Sequence, residues 1–178
     1  YCRVEDQKEH FTTPVKSQGY NCCCWDFAGT SILESEIYRQ HGKVYDLSEM
    51  WIARHAYYEK AVRHVRHYGK NHYRCGGIHA DVMAMVKKYG VVPQEVYDEC
   101  RKTDGKYDHR ELVDTLRSYL ADLVKMKNGT MKPDWLDDID AILDEHMGAR
   151  PEKFIYKGRE YTPLSFAQSL GIDFDDYV

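Results

Sequence analysis

Long apolar runs are missing from this 178-residue sequence. None approaches the roughly 18 residues that a membrane-spanning helix needs, so no membrane partner is expected. Repeats and low-complexity tracts are missing too. Neither sign of charge dominates: 25 basic and 29 acidic residues leave a net charge of -4, which makes nucleic acid a poor partner. Cysteine is sparse, six residues in all, far too thin a supply for a small disulfide-stapled scaffold. No secretory leader is visible. The first residue is Tyr1 rather than Met, which reads as a start after processing or trimming. A cytoplasmic location is favoured, with periplasm or secretion open if the terminus was processed.

What is present supports one packed unit. Hydrophobic residues make up 43% of the chain, enough for one domain with a core or one lobe of something larger. Fifteen tyrosines suit contact with protein or peptide. Residues 1–20 read as a polar, extended lead-in, with the Thr13-Pro14 step favouring β or polyproline geometry. A helix is expected from about Asp26, with Phe27, Ile32, Leu33, Ile37 and Tyr38 near helical spacing and Gly42 at its end. Ser48 is placed to cap a second helix, Met50 to about Tyr68, stopped by Gly69. A loop to Gly77 leads into a third helix with Ile78, Val82, Met85, Val86 and Tyr89 on one face. Residues 108–127 and 134–147 read as two more amphipathic helices. In the later one Leu136, Ile139, Leu143 and Met147 form the apolar stripe, and Asp134, Asp137, Asp138, Asp140, Asp144 and Glu145 a solvated face. "FIYKGREYTP" alternates about Lys157-Gly158 and predicts a hairpin, before a short helix near Leu164 to Leu170. The fold class is α+β, mainly helical, with a small β-hairpin near the C-terminus.

Three of the six cysteines stand side by side, Cys22, Cys23 and Cys24. Adjacent thiols cannot all face one ion without contorting the backbone, so a structural metal is not expected at Cys22–Cys24. Cys24 falls at the start of the first helix, and a thiol at a helix N-terminus meets the positive end of the macrodipole, which favours the nucleophilic thiolate. Gln18, six residues upstream, lies in a loop able to fold back over the helix start. Its amide and the Cys24 backbone N–H are suited to stabilise a developing oxyanion. Trp25 is placed to shield one side from water. The plain alternative is a buried, inert thiol.

These residues carry a resemblance. "PVKSQGYNCCCWDFAGTSILESE", through Gln18, Cys24, Trp25, Leu33 and Glu34, resembles the active-site segment of papain-like cysteine peptidases. "DLSE", Asp46 to Glu49, and "CGGIHADVMAMVKKYGVVPQEVY", Cys75 to Tyr97, are similar to two further segments of that family, in the order the family has them. The long helical stretch between them is similar to the bleomycin hydrolase and aminopeptidase C branch. The resemblance implies the helical lobe of the papain-like fold over residues 1–178, with Cys24 as nucleophile, Gln18 as oxyanion donor and Gly76 and Gly77 holding substrate backbone. It implies aminopeptidase action on peptides through an acyl-enzyme intermediate, no cofactor, and a homo-oligomeric ring, commonly a hexamer.

The departures from that pattern set the open questions. The family's Cys-Gly-Ser/Ala-Cys-Trp signature falls on Asn21-Cys22-Cys23-Cys24-Trp25. The family's usual disulfide from the first position is therefore missing, with Cys22 to Cys75 a conceivable substitute. Cys22 is expected to add a side chain at the cleft floor, and neighbouring thiols to be capable of trapping Cys24. No histidine has the context of the family's base: His146 lies in a helical segment, not a strand. The expectation is that a second, barrel-like lobe carrying His and Asn lies outside this chain, downstream or in a second chain. The alternative function is a catalytically impaired, peptide-binding or interaction module. Gly76-Gly77 as a simple turn, and the basic stretch from Arg63 to Arg74 as a solvated helix end, remain the plain readings there. His64 and His67 alone make at best a weak metal pair. Asn128-Gly129-Thr130 is treated as a chance glycosylation sequon.

Overall fold

Capping chemistry sets the frame. The computed structural model describes residues 11–100, 102–126 and 132–174. Helix α1, Cys24–His41, ends where Gly42 turns left-handed at φ 63° and returns its N–H to the Tyr38 carbonyl, the αL cap that glycine favours. Helix α2, Glu49–Arg66, starts at Ser48, whose Oγ accepts from the Trp51 N–H at 3.2 Å. It stops two residues short of the expected end, because Tyr68 and Gly69 both take positive φ. Helix α3, His79–Tyr89, is followed by Gly90 at φ 73°, where a Cβ would lie 2.2 Å from the Pro163 carbonyl. Two further helices, α4, Arg110–Lys125, and α5, Trp135–Met147, and a short α6, Pro163–Ser169, complete the helical set.

Two small hairpins interrupt the helices. Strands β1, Lys102–Thr103, and β2, Lys106–Tyr107, pair about Asp104-Gly105, with φ 52° and 72°. Strands β3, Phe154–Tyr156, and β4, Arg159–Tyr161, pair about Lys157-Gly158, with φ 48° and 79°. Paired positive φ values are what two-residue hairpin turns need, hence Asp-Gly and Lys-Gly. The second hairpin is the expected one. The first was not anticipated, although its Asp-Gly pair is the sequence signal for it.

Helix α2 is the centre of the packing and touches α1, α3, α4 and α5. All residues from Glu49 to Tyr57 are buried, as expected for a helix covered on every side. Arg54 lies fully buried among them and pairs with Asp140 at 3.2 Å and with Asp144 of α5. This corrects the reading of the α5 acids as a purely solvated face. Asp138 also accepts from the Tyr119 hydroxyl at 2.8 Å. The stripe of Ile139, Leu143 and Met147 is in the core as expected, while Leu136 is only half-buried.

Other expectations shift locally. Ile78 precedes α3 and is 65% exposed, so it is not on the buried face, whereas Met83 is. Ile32 and Tyr38 are exposed on α1. Its buried face instead mixes Leu33 and Ile37 with Asp26, Gly29, Thr30 and Glu34. Residues 11–19 form no regular strand, and Tyr20 makes a single bridge to Asp108. The start of the lead-in, residues 1–10, and the Asn128-Gly129-Thr130 sequon lie outside the described residues. In the basic stretch, His64 Nδ1 bonds the Asn71 carbonyl at 2.7 Å and closes the loop after α2.

Candidate active site

Three adjacent sulfurs go three ways. Cys22 is bonded to Cys75, 53 residues away. Cys23, the residue before α1, is fully buried and faces the core. Cys24, the first residue of α1, is exposed with a free thiol. Side chains near a helix start fan out by about 100° per residue, the consequence of 3.6 residues per turn, so neighbours in sequence need not be neighbours in space. The conceivable Cys22–Cys75 bridge is present. Cys22 therefore carries no free thiol, and neither flanking sulfur stands ready to trap Cys24.

The Cys23 thiol is chemically quiet. Burial, reinforced by the nearby Asp26 carboxyl, pushes it up to about 12, so at neutral pH it stays protonated and non-nucleophilic. Asp26 is itself fully buried, and burial followed by the neighbouring Glu49 pushes its carboxyl well above the usual range. Thr30 donates to it at 3.2 Å.

The loop before the helix is held from several sides. Gln18 donates through Nε2 to the Asn21 carbonyl at 2.9 Å. That bond orients the amide and leaves it a second N–H. Asn21 Oδ1 accepts from the Cys23 N–H at 3.0 Å. Gly19 takes φ 67°, and a Cβ there would stand 2.5 Å from the Tyr107 carbonyl, so only glycine lets this loop lie against β2. Tyr20 then exchanges backbone bonds with that segment, its N–H to Tyr107 O at 2.7 Å and its O from His109 N–H at 3.2 Å.

On the other side of the helix start, Trp25 is buried and its Nε1 donates to the Cys75 carbonyl at 3.2 Å. The Lys60 ammonium lies 4.7 Å over the indole and donates to the Gly76 carbonyl at 2.7 Å. Trp25 therefore anchors the loop that carries Gly76 and Gly77. The two glycines have different reasons to be glycine. A Cβ on Gly77 would sit 2.7 Å from the Trp25 ring, whereas one on Gly76 would meet nothing within 4 Å. The close packing at Gly77 is intramolecular, while Gly76 presents an open, exposed backbone.

The Glu34 and Asp46–Glu49 motifs meet around Lys16. Glu34, nearly fully buried, accepts from the Thr13 hydroxyl at 2.5 Å and the Leu47 N–H at 2.8 Å. Lys16 pairs with Glu34, Asp46 and Glu49 at 3.3, 2.6 and 2.7 Å. Burial opposes its charge, but the Glu49, Asp46 and Glu34 carboxylates raise its pKa above the usual lysine range. This cluster ties the lead-in to α1 and α2 beneath the site.

Sequence reasoning missed Tyr57, Lys60, Cys100 and His109. Only the fold brings them to the site's underside, and His109 carried no motif. Among the described residues no histidine hydrogen-bonds the Cys24 thiol. His146, on α5, is buried and helical as expected. The arrangement offers an exposed sulfur at a helix start, an oriented amide in the loop that leads into that helix and an exposed glycine in the loop that Trp25 anchors, the kinds of group that acyl transfer from a peptide uses.

A family model described as the Peptidase C1-like family matches residues 5–177. Procathepsin L of Felis catus is 46% identical over 46 residues, 26% of this chain and 14% of that protein. Cathepsin L2 of Homo sapiens is 41% identical over 46 residues, with the same coverage of 26% and 14%. The crystal structure of PepW from Lactobacillus rhamnosis HN001 matches with a TM-score of 0.63 at 22% identity, covering 94% of this chain and 46% of that one. The chain thus spans less than half of PepW, with the same fold over that part. With a family model matching nearly its whole length and the helical lobe's fold shared with PepW, the chain belongs to the Peptidase C1-like family, the papain-like cysteine peptidases.

Proposed function

We propose that the protein is an aminopeptidase that hydrolyses peptides through an acyl-enzyme on Cys24. The observation that carries this is the separation of the three sulfurs: Cys22 bridged, Cys23 buried, and Cys24 exposed at the first residue of α1. Cys24 sulfur adds to the scissile carbonyl, and Gln18 Nε2 with the Cys24 N–H receives the oxyanion. Collapse forms the thioester, and the amine departs with a proton from a histidine. Water then hydrolyses the thioester and restores the thiol. The histidine and its asparagine orienter belong to a second lobe outside residues 1–178, on the same polypeptide or another. Substrate backbone lies along Gly76 and Gly77, and the working particle is a homo-oligomeric ring, commonly a hexamer. The resemblance to the bleomycin hydrolase and aminopeptidase C branch supports the amino-terminal specificity and the ring; the likeness to PepW supports the fold.

The impaired-module alternative drew on a half-peptidase without its base and on crowding by Cys22 and Cys23; the bridge and the burial bear only on the crowding. The test uses the full-length protein and an aminoacyl fluorogenic amide. Cys24→Ala should abolish turnover, and Gln18→Ala should lower kcat by about 10²–10³. Iodoacetamide under non-reducing conditions should label Cys24 ahead of Cys22 and Cys23. A protein that binds peptide with Cys24 intact yet never cleaves it is a binding module, and the proposal is then wrong.

A further inference from the structure

Beneath Cys24 four buried groups form a continuous chain. Cys23 Sγ meets the Tyr57 hydroxyl at 3.4 Å, Tyr57 Oη meets His109 Nδ1 at 2.9 Å, and His109 Nε2 meets Cys100 Sγ at 3.1 Å. Cys23 Sγ also stands 3.9 Å from His109 Nδ1. None of the four residues is more than 4% exposed. Burial lowers the His109 imidazole to about 4, so it is neutral at pH 7, with one nitrogen donating and the other accepting. The bonds then run without a break in one sense: Cys23 S–H to Tyr57, Tyr57 O–H to Nδ1, Nε2–H to Cys100. They can equally run in the reverse sense. The chain joins α1, α2, the start of α4 and the segment before β1.

Its position gives it a role. The Cys23 carbonyl accepts from the Asp26 and Phe27 N–H groups at 2.8 and 3.1 Å, so it points into the first turn of α1. In a trans peptide the following N–H points the opposite way. The Cys24 N–H is therefore aimed out of the helix start, toward the place an oxyanion would occupy. The carbonyl bonds hold that peptide plane directly, and two more ties hold Cys23 on its near side: its N–H on Asn21 Oδ1 and its side chain on Tyr57 and His109. The second donor is referenced to the same place. The Gln18 loop is held by Tyr20, which bonds the backbone of Tyr107 and of His109 itself. Segment 107–109 thus anchors both arms of the oxyanion site.

We infer that Cys23, Tyr57 and His109 are positioning residues that aim the two oxyanion donors at the carbonyl attacked by Cys24. This rests on the peptidase reading and deepens it: the pair of adjacent donors works because a neutral, buried hydrogen-bonded chain holds both backbones to His109. Small misplacement of preorganised groups is costly in rate.

The test separates aim from general stability. In the full-length protein Tyr57→Phe deletes one hydroxyl and keeps the ring. It should lower kcat on an aminoacyl amide by about ten- to a hundredfold with KM within twofold. Alkylation of Cys24 by iodoacetamide, which forms no oxyanion, should proceed at the wild-type rate. Cys23→Ala should behave like Tyr57→Phe, and Cys23→Ser, which keeps a hydrogen-bonding group, should recover most of the loss. Wild-type kcat in both Tyr57→Phe and Cys23→Ala overturns the inference. So does a parallel fall in kcat and alkylation, which marks a structural role. A peptide aldehyde, whose hemithioacetal oxygen occupies the oxyanion position, gives the same comparison without turnover. If the wild type cleaves nothing, the peptidase reading fails, and the aiming role then stands or falls on whether Tyr57→Phe weakens aldehyde capture.

Discussion

At the scale of single residues, burial decides which groups can carry charge. His55 is 2% exposed, stacks 3.9 Å from the Tyr89 ring and meets Trp51 edge-on at 4.6 Å. Burial first, then the positive charges of Arg54, Arg150 and Lys88, lowers its imidazole to about 2. A lowered folded pKa means that the unfolded chain binds the proton first. As pH falls below about 6.5, His55 therefore draws the equilibrium toward the unfolded state by about 1.4 kcal/mol per unit. His109 adds a second such slope down to about 4, where its own folded value lies. In His55→Phe, the stability measured by denaturant unfolding should match the wild type near pH 7 and fall less steeply between pH 6 and 4. An unchanged slope would show that His55 is charged in the folded protein.

At the scale of elements, Arg54 is the cross-tie between α2 and α5. Its guanidinium is fully buried, whereas the side chains of Asp140 and Asp144 are 25% and 44% exposed. The two ends of the pair are therefore unequal. Removing the carboxylates strands a buried cation, while removing the arginine leaves acids that water can reach. Asp140→Asn with Asp144→Asn should cost about 3–5 kcal/mol in denaturant unfolding. Arg54→Met, which refills the space with apolar atoms, should cost clearly less. Equal losses would mean that packing, not charge, decides. This tie also shows what sequence can and cannot tell. The helices, Gly42, the Ser48 cap and the second hairpin were legible because each depends on neighbours a few residues away. Cys24, Gln18 and Trp25 were legible as a local motif. Arg54 with Asp140 and Asp144, and Cys23 with Tyr57 and His109, were not, because each pairs residues 34 to 90 positions apart that carry no local signature. The α1 stripe misled for a related reason: its buried face uses Asp26, Thr30 and Glu34, and while Thr30 bonds Asp26 within the helix, Glu34 finds the Thr13 hydroxyl and the Leu47 N–H only in the fold.

At the scale of the whole molecule, the unpaired surface follows the site. Val15 is fully exposed and, with the rest of residues 12–16, lines a groove of about 310 Å³ that Phe27, Ser31 and Glu34 of α1 and Glu49 of α2 also line; Ile32 is 48% exposed on the same helix α1. On the two-lobe proposal this side faces the partner lobe. Residues 1–178 produced alone should then show no amide hydrolysis and should self-associate through exposed apolar surface. Adding the remaining sequence as a separate polypeptide should restore turnover and a defined size in light scattering. Hydrolysis by residues 1–178 alone would place the base within this chain and defeat the two-lobe proposal.

Trp25 gives the site an optical signature. Its indole is buried, capped by an ammonium and bonded to the backbone of a cystine half, with Cys24 as its chain neighbour. Disulfides quench nearby indole emission, and an indole's colour follows the polarity around it. On the proposed chemistry, reduction of the Cys22–Cys75 bridge and arrival of an acyl group on Cys24 should each change the emission of this ring, a dye already built into the site.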